Sequence, residues 1–98
     1  ADIKMRTNDG LSPLLAASIK GHTAIVKLLL EYDAEVDQKT NQGTTSLMIA
    51  SANGHTEVVK ILLENGADTS LKNESGKTAI EVAANEEIRN LISRIKKI

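Results

Sequence analysis

The sequence has no cysteine, phenylalanine or tryptophan, and Tyr32 is its single aromatic residue. Without cysteine there is no disulfide framework and no thiol-based metal site, which suits a reducing compartment. The expectation is an intracellular, cytoplasmic protein, with the nucleus left open. With one aromatic residue, the core has to be filled by Leu, Ile, Val and Ala, which pack helices closely but offer few aromatic anchors. Charge of one sign is also missing. Twelve basic against 13 acidic residues leave a formal net charge of −1, so neither a nucleic-acid footprint nor an acidic tail is expected. Long apolar runs are absent too: the longest, Ile25 to Leu30, is interrupted by Lys27. No membrane insertion is expected from so short a run, and no basic-then-apolar signal segment opens the chain.

Repetition is what the sequence does contain. Gly10, Gly43 and Gly76 are spaced by 33 residues, as are Gly21 and Gly54, and His22 and His55. Thr7–Lys39 aligned with Thr40–Lys72 gives 16 identities in 33 positions, where composition alone gives about two. A period of this length signals a solenoid whose units pack on their neighbours. Residues 7–39 and 40–72 form two full units, 1–6 is the end of a preceding one, and 73–98 is a shortened third. Together they make one domain.

Each unit reads as turn, helix, tight turn, helix. Ser12, Thr45 and Thr78 stand where a hydroxyl caps the first helix, and Pro13 takes the first helical position, where its missing N–H costs nothing. Thr78-Ala79-Ile80-Glu81 has capping-box spacing. Gly21 and Gly54 are expected to end that helix at positive φ. The second helix is expected over Thr23–Glu31 and Thr56–Glu64. It is apolar on two sides, with Ile25, Leu28, Leu29 and Tyr32 on one stripe and Val26 and Leu30 on another. Cover for both must come from neighbouring units. Lys27 with Glu31 and Lys60 with Glu64 are i,i+4 pairs suited to a solvated outer face.

The run Asn8-Asp9-Gly10-Leu11-Ser12-Pro13-Leu14-Leu15-Ala16-Ala17, with Gly21-His22, Ile25-Val26, Leu28-Leu29-Leu30 and Ala34-Glu35-Val36-Asp37, resembles an ankyrin repeat. So does Asn53-Gly54-His55, Val58-Val59, Ile61-Leu62-Leu63 and Asn65-Gly66-Ala67-Asp68. The resemblance covers essentially the whole chain. It implies an all-α solenoid of stacked helix–turn–helix units with short hairpin loops. The departures are local: the family's Thr-Pro-Leu-His signature is Ser12-Pro13-Leu14-Leu15, Thr45-Ser46-Leu47-Met48 and Thr78-Ala79-Ile80-Glu81 here. The histidine that braces the first helix in the family is therefore replaced.

Both ends carry expectations. Ala1-Asp2-Ile3 lies 33 residues before Ala34-Glu35-Val36, so the chain is expected to start inside a repeat of a longer array, leaving apolar residues such as Leu14 and Leu29 short of a neighbour. At the other end, Ile88, Leu91, Ile92 and Ile95 share one face. Arg89, Asn90, Arg94 and Lys97 occupy the rest, the pattern of a terminal cap.

Catalysis and metal binding are not expected. His22 and His55 repeat with the scaffold at an expected spacing of about 8–10 Å, whereas one zinc ion needs nitrogens at roughly 2.0–2.1 Å. No third ligand recurs beside them. Ser18 and Ser51, four residues before the histidines, are also copied and lie among alanines, as small packing residues do. No phosphate-binding loop is present, and no cofactor is expected. Asn73-Glu74-Ser75 matches the N-glycosylation pattern, a triplet common by chance.

The resemblance implies a protein or peptide partner on the concave face formed by hairpin tips and first helices. Carried over by position, that face comprises Arg6, Asn8, Asp9, Leu11, Ile19 and Lys20 in the first unit. The second unit adds Lys39, Asn41, Gln42, Thr44, Ala52 and Asn53, and the third Lys72, Glu74, Ser75, Lys77, Asn85 and Glu86. The full units differ here in Leu11 against Thr44, Ile19 against Ala52 and Lys20 against Asn53. Copied positions hold the scaffold, and divergent ones are free to hold specificity. Leu11 and Ile19 beside Arg6 and Lys20 suggest an apolar anchor with a charged rim. Two alternatives stay open: a packing segment of a larger array that self-associates weakly through its N-terminal side, and a designed repeat scaffold. The Tyr32-Asp33 and Leu15/Met48 irregularities argue against the last.

Overall fold

The computed structural model describes residues 12–95. They form three helix pairs: α1 (Pro13–Lys20) with α2 (Thr23–Glu31), α3 (Ser46–Ala52) with α4 (Thr56–Glu64), and α5 (Ala79–Val82) with α6 (Glu86–Ile95). The second helices fall on their sequence-predicted bounds. Local chemistry sets the starts. Ser12 is extended, at φ −89° and ψ 168°, and its hydroxyl accepts from the Leu15 amide at 3.3 Å while donating to the Gln38 side chain. Thr45 repeats the arrangement, accepting from the Met48 amide at 3.2 Å. In return the Thr45 amide donates to Met48 Sδ at 3.5 Å. Thioether sulfur, a weak acceptor, closes this cap. At the third unit, the Glu81 carboxylate accepts from the Thr78 amide at 2.8 Å and from its hydroxyl at 3.2 Å. Those two bonds, the amide first, hold the Glu81 carboxyl below its ordinary value, with Lys77 and Lys72 adding to the effect. Asn85 Oδ1 caps α6 by accepting from the Ile88 amide at 2.9 Å.

The ends are set by backbone. Gly21 closes α1 at φ +71°, a conformation that costs an L side chain energy and a glycine nothing. After α4 the same need is met by Gly66 at φ +84°, whereas after α2 the position is Asp33 at φ +68°. Aspartate is among the few side chains that tolerate this region.

The helices form two layers. α1, α3 and α5 pack in sequence along one side, and α2, α4 and α6 along the other, each inner helix also touching its own outer one. Between the layers lies one aliphatic core that includes Leu14, Leu47, Met48, Val58, Val59, Leu62, Ile88 and Ile92. Adjacent units are tied by polar bonds at corresponding heights. Glu74 N donates to Gln42 O at 2.9 Å, and Ala84 N to Ser51 O at 2.8 Å. Asp68 N donates to the Asp37 carboxylate at 2.8 Å.

Three expectations need correction. Of the two apolar residues expected to be short of a neighbour on the first unit, Leu14 is not, whereas Leu29 is less covered than its counterpart Leu62. Leu14 is fully buried and Leu29 half-buried, while Ile25, Leu28 and Tyr32 are exposed. Leu14 sits on α1, which both α2 and α3 cover. The expected two-sided cover of α2 is accordingly one-sided, since Val26 and Leu30 are buried and the other stripe is not. The same register in α4 shows the difference: Val58 is 1% exposed, whereas Ile25 is 48% exposed. Finally, Lys60 pairs with Glu57 at 3.4 Å and not with Glu64; this is the one ion pair among the described residues. Both side chains are well exposed, so the pair contributes little.

At the first position of α3, where α1 has Pro13, stands the fully buried Ser46, whose hydroxyl has no hydrogen-bond partner. Thr45, at φ −87° and ψ 166°, already has the extended backbone that a following proline requires. Ser46→Pro is expected to stabilise the fold by about 0.4–1 kcal/mol, through a less flexible unfolded chain and loss of an orphan hydroxyl. The urea midpoint should rise; a fall would mean that the site has no room for the ring.

Candidate protein-binding face

The inner helices and the turns that precede them form one side of the molecule. Its position is fixed by Ile19, near the end of α1. The Ile19 carbonyl accepts from His55 Nε2 at 3.1 Å and from Asn53 Nδ2 at 3.3 Å. A carbonyl only accepts, so His55 must carry a proton on Nε2. The second unit therefore grips the end of the first unit's inner helix. His55 also lies against Gly21, so close that a Cβ there would come within 2.7 Å of Nδ1. His22 is exposed, and its side chain does not cap α2. Among the described residues no group of three His, Cys, Asp or Glu is placed to hold a metal.

The turns are built by backbone bonds. Thr40 N donates to Thr44 O at 2.9 Å, and Asn73 N to Lys77 O at 3.0 Å. Within the second turn, Asn73 Oδ1 accepts from the amides of Ser75 at 2.9 Å and Lys77 at 3.1 Å. The asparagine of the Asn73-Glu74-Ser75 triplet thus shapes a turn.

Between these turns and the inner helices lies an open groove of about 340 Å³. Its floor is apolar: Ile19, Met48, Ile49, Ala52 and Val82. Thr40, Gln42, Thr44, Asn53 and Asn73 form its polar walls. Of the sequence-expected residues, the structure gathers Ile19, Gln42, Thr44, Ala52 and Asn53 here. Lys20, Lys39, Asn41, Lys72, Glu74, Ser75 and Lys77 are exposed nearby in the chain but do not line the groove. Asn85 and Glu86 are exposed at the start of α6. Arg6, Asn8, Asp9 and Leu11 lie outside the described residues.

Ile49 and Val82 were missed, although a signal was present. With Ala16 they occupy one register at 33-residue spacing, and Ala, Ile and Val there are as divergent as Leu11/Thr44 or Ile19/Ala52. Their periodicity marked them as helix interior, but both are half-buried and open to the groove.

A two-layered stack of helix pairs with a groove along its inner side is a repeat scaffold, copied in its packing positions and variable along one face. A family model for ankyrin repeats, in three copies, matches residues 1–73 and 43–96; the chain belongs to the ankyrin-repeat family. Among solved structures it is similar to the ankyrin repeat domain of Bcl-3, described as a unique member of the IkappaB protein family. The identity is 33% and the TM-score 0.92, over 95% of this chain. The chain spans 41% of the length of that one. No curated protein matches the sequence. The fold is thus an all-α ankyrin solenoid, a type that generally serves protein–protein interaction and not catalysis. No helix among the described residues is long and apolar enough to cross a membrane.

Proposed function

We propose that this chain holds a protein or peptide partner on its inner face, in the groove between the turns 40–44 and 73–77 and the inner helices. The observation that carries this reading is the apolar floor. Ile19 is 38% exposed at the end of a helix whose other large apolar residues are buried, and divergent positions from all three units meet around it. Such a seat offers preformed shape and dry area to a partner side chain.

A photo-crosslinking residue at position 52 should capture a partner that one at position 27, on the outer side, does not. Ile19→Glu combined with Ala52→Glu should weaken binding of that partner by roughly 2 kcal/mol or more, about 30-fold. The helical CD spectrum and melting temperature should hardly change, because both sites are exposed. Equal capture from both positions, or unfolding of the double variant, would sink the reading.

A second reading rests on a separate observation, the exposed stripe of Ile25 and Leu28 on α2 with Tyr32 at its C-cap. We infer from it weak self-association through the first unit's open side. Light scattering should show an average mass that rises with concentration and stays monomeric in Leu28→Glu. Concentration-independent mass in the unaltered protein excludes it.

A further inference from the structure

Among the described residues outside α6, charge is sorted between the two sides of the stack although the chain's total nearly cancels. The inner helices and turns carry Lys20, Lys39, Lys72 and Lys77 against Glu74 and Glu81. The outer helices α2 and α4, with the loops that follow them, carry exposed Glu31, Asp33, Glu35, Glu57, Glu64 and Asp68 against Lys27 and Lys60. Three of the lysines adjoin groove residues in the chain. Lys20 follows Ile19, Lys39 precedes Thr40 and Lys72 precedes Asn73, and all three neighbours line it. Lys77 closes the turn against Asn73. Of the two inner glutamates, Glu81 has its carboxylate engaged by Thr78, and Glu74 is exposed in the turn 73–77.

We propose that the partner segment is an acidic peptide carrying one apolar anchor. The anchor sits on Ile19, Ile49, Ala52 and Val82, and flanking carboxylates meet the lysine rim. This rests on the inner-face reading above and narrows it to a partner chemistry. Two features point the same way. An apolar floor rewards a side chain that leaves water, and a net positive rim steers an oppositely charged segment while repelling the other. The acidic outer side adds orientation, because an acidic segment is turned away from it. A phosphate polyanion would satisfy the rim but leave the apolar floor empty, so a peptide fits better than a nucleic acid.

Selection of a random peptide library on the intact chain tests the idea. Enriched peptides should combine Asp and Glu with one large aliphatic or aromatic residue. Amide shift changes on binding should centre on Ile19, Ala52 and Asn53. Affinity should fall roughly tenfold or more between about 50 and 200 mM salt, and about tenfold in Lys20→Glu with Lys72→Glu. Replacing the anchor of the synthetic peptide by serine should also cost roughly tenfold. Enrichment of basic or uncharged peptides with shifts on the inner face overturns the acidic assignment but leaves the inner-face reading standing. Shifts confined to α2 and α4, or no enrichment at all, overturn both. An oligothymidylate that competes as well as the peptide overturns the peptide assignment.

Discussion

Leu62→Ala is expected to destabilise the fold by about 2–5 kcal/mol, and Leu29→Ala, at the same register one unit earlier, by distinctly less. Leu62 is fully buried in the core between the layers, with helices of the units before and after it packed on α4. Truncation there loses the transfer energy of three carbon atoms. It also leaves a cavity that two packed neighbours cannot collapse into, because closed interiors relax only in part. Leu29 is half-buried on a helix packed by α1 and α4, so water already reaches part of what is removed. A domain of this size has roughly 5–15 kcal/mol in total, so at the middle of both ranges the Leu62 variant should give up about a third of it. Urea denaturation with a shared slope separates the two. Equal losses would mean that the first unit's outer helix is covered as fully as the second's, which contradicts the exposure of Ile25 and Leu28.

A second large loss is expected for Gly21→Ala, about 2–4 kcal/mol, against roughly 1–2 kcal/mol for Gly54→Ala. Both glycines sit at positive φ, +71° and +75°, so both variants carry the left-handed backbone penalty. Their surroundings differ. A Cβ on Gly21 would lie 2.7 Å from His55 Nδ1 and 2.8 Å from Cε1, whereas one on Gly54 meets only Ala84 Cβ at 3.8 Å. The ring cannot swing aside freely, since its other nitrogen bonds the Ile19 carbonyl. Moving it forfeits that bond, about 0.5–1.5 kcal/mol, in addition to the steric cost. The excess should vanish when Gly21→Ala is placed in a His55→Ala background, a coupling that thermal melts of the four variants measure directly. Additive losses would show that the ring yields without cost.

These two pairs mark how far the sequence could be read. The helix bounds of α2 and α4, the hydroxyl caps at Ser12 and Thr45, the Thr78–Glu81 pairing and the positive-φ glycines were legible because each follows from local chemistry repeated at a fixed interval. Repetition also identified His55 as scaffold, but not its role, which lies across the joint on Gly21 and Ile19 and has no trace in either unit alone. Met48 illustrates a different limit. The absence of a histidine from the Thr-Ser-Leu-Met stretch suggested a lost brace, and the flexible thioether supplies a weak one. Lys60 chose Glu57 over Glu64 because both lie within a helical turn or so, and spacing does not decide between them. Leu14 was misjudged because register tells which face a residue occupies, not how many helices reach it. On the inner face, divergence between units found Ile19, Ala52 and Asn53. Ile49 and Val82, equally divergent, read as core because they are aliphatic in a helix.

The groove has a property that follows from where its two ends are anchored. Ile19 belongs to the first unit and Val82 to the third, so its width is set by two successive joints, each held by a few bonds such as Ile19–His55 and Ser51–Ala84. A small rotation at each joint adds to the next, so the opening responds to both joints at once. Whatever lies along it fastens the first unit to the third and acts as a clasp. Occupancy should therefore be felt as resistance to pulling the ends apart, and an empty groove should let the units peel away one after another.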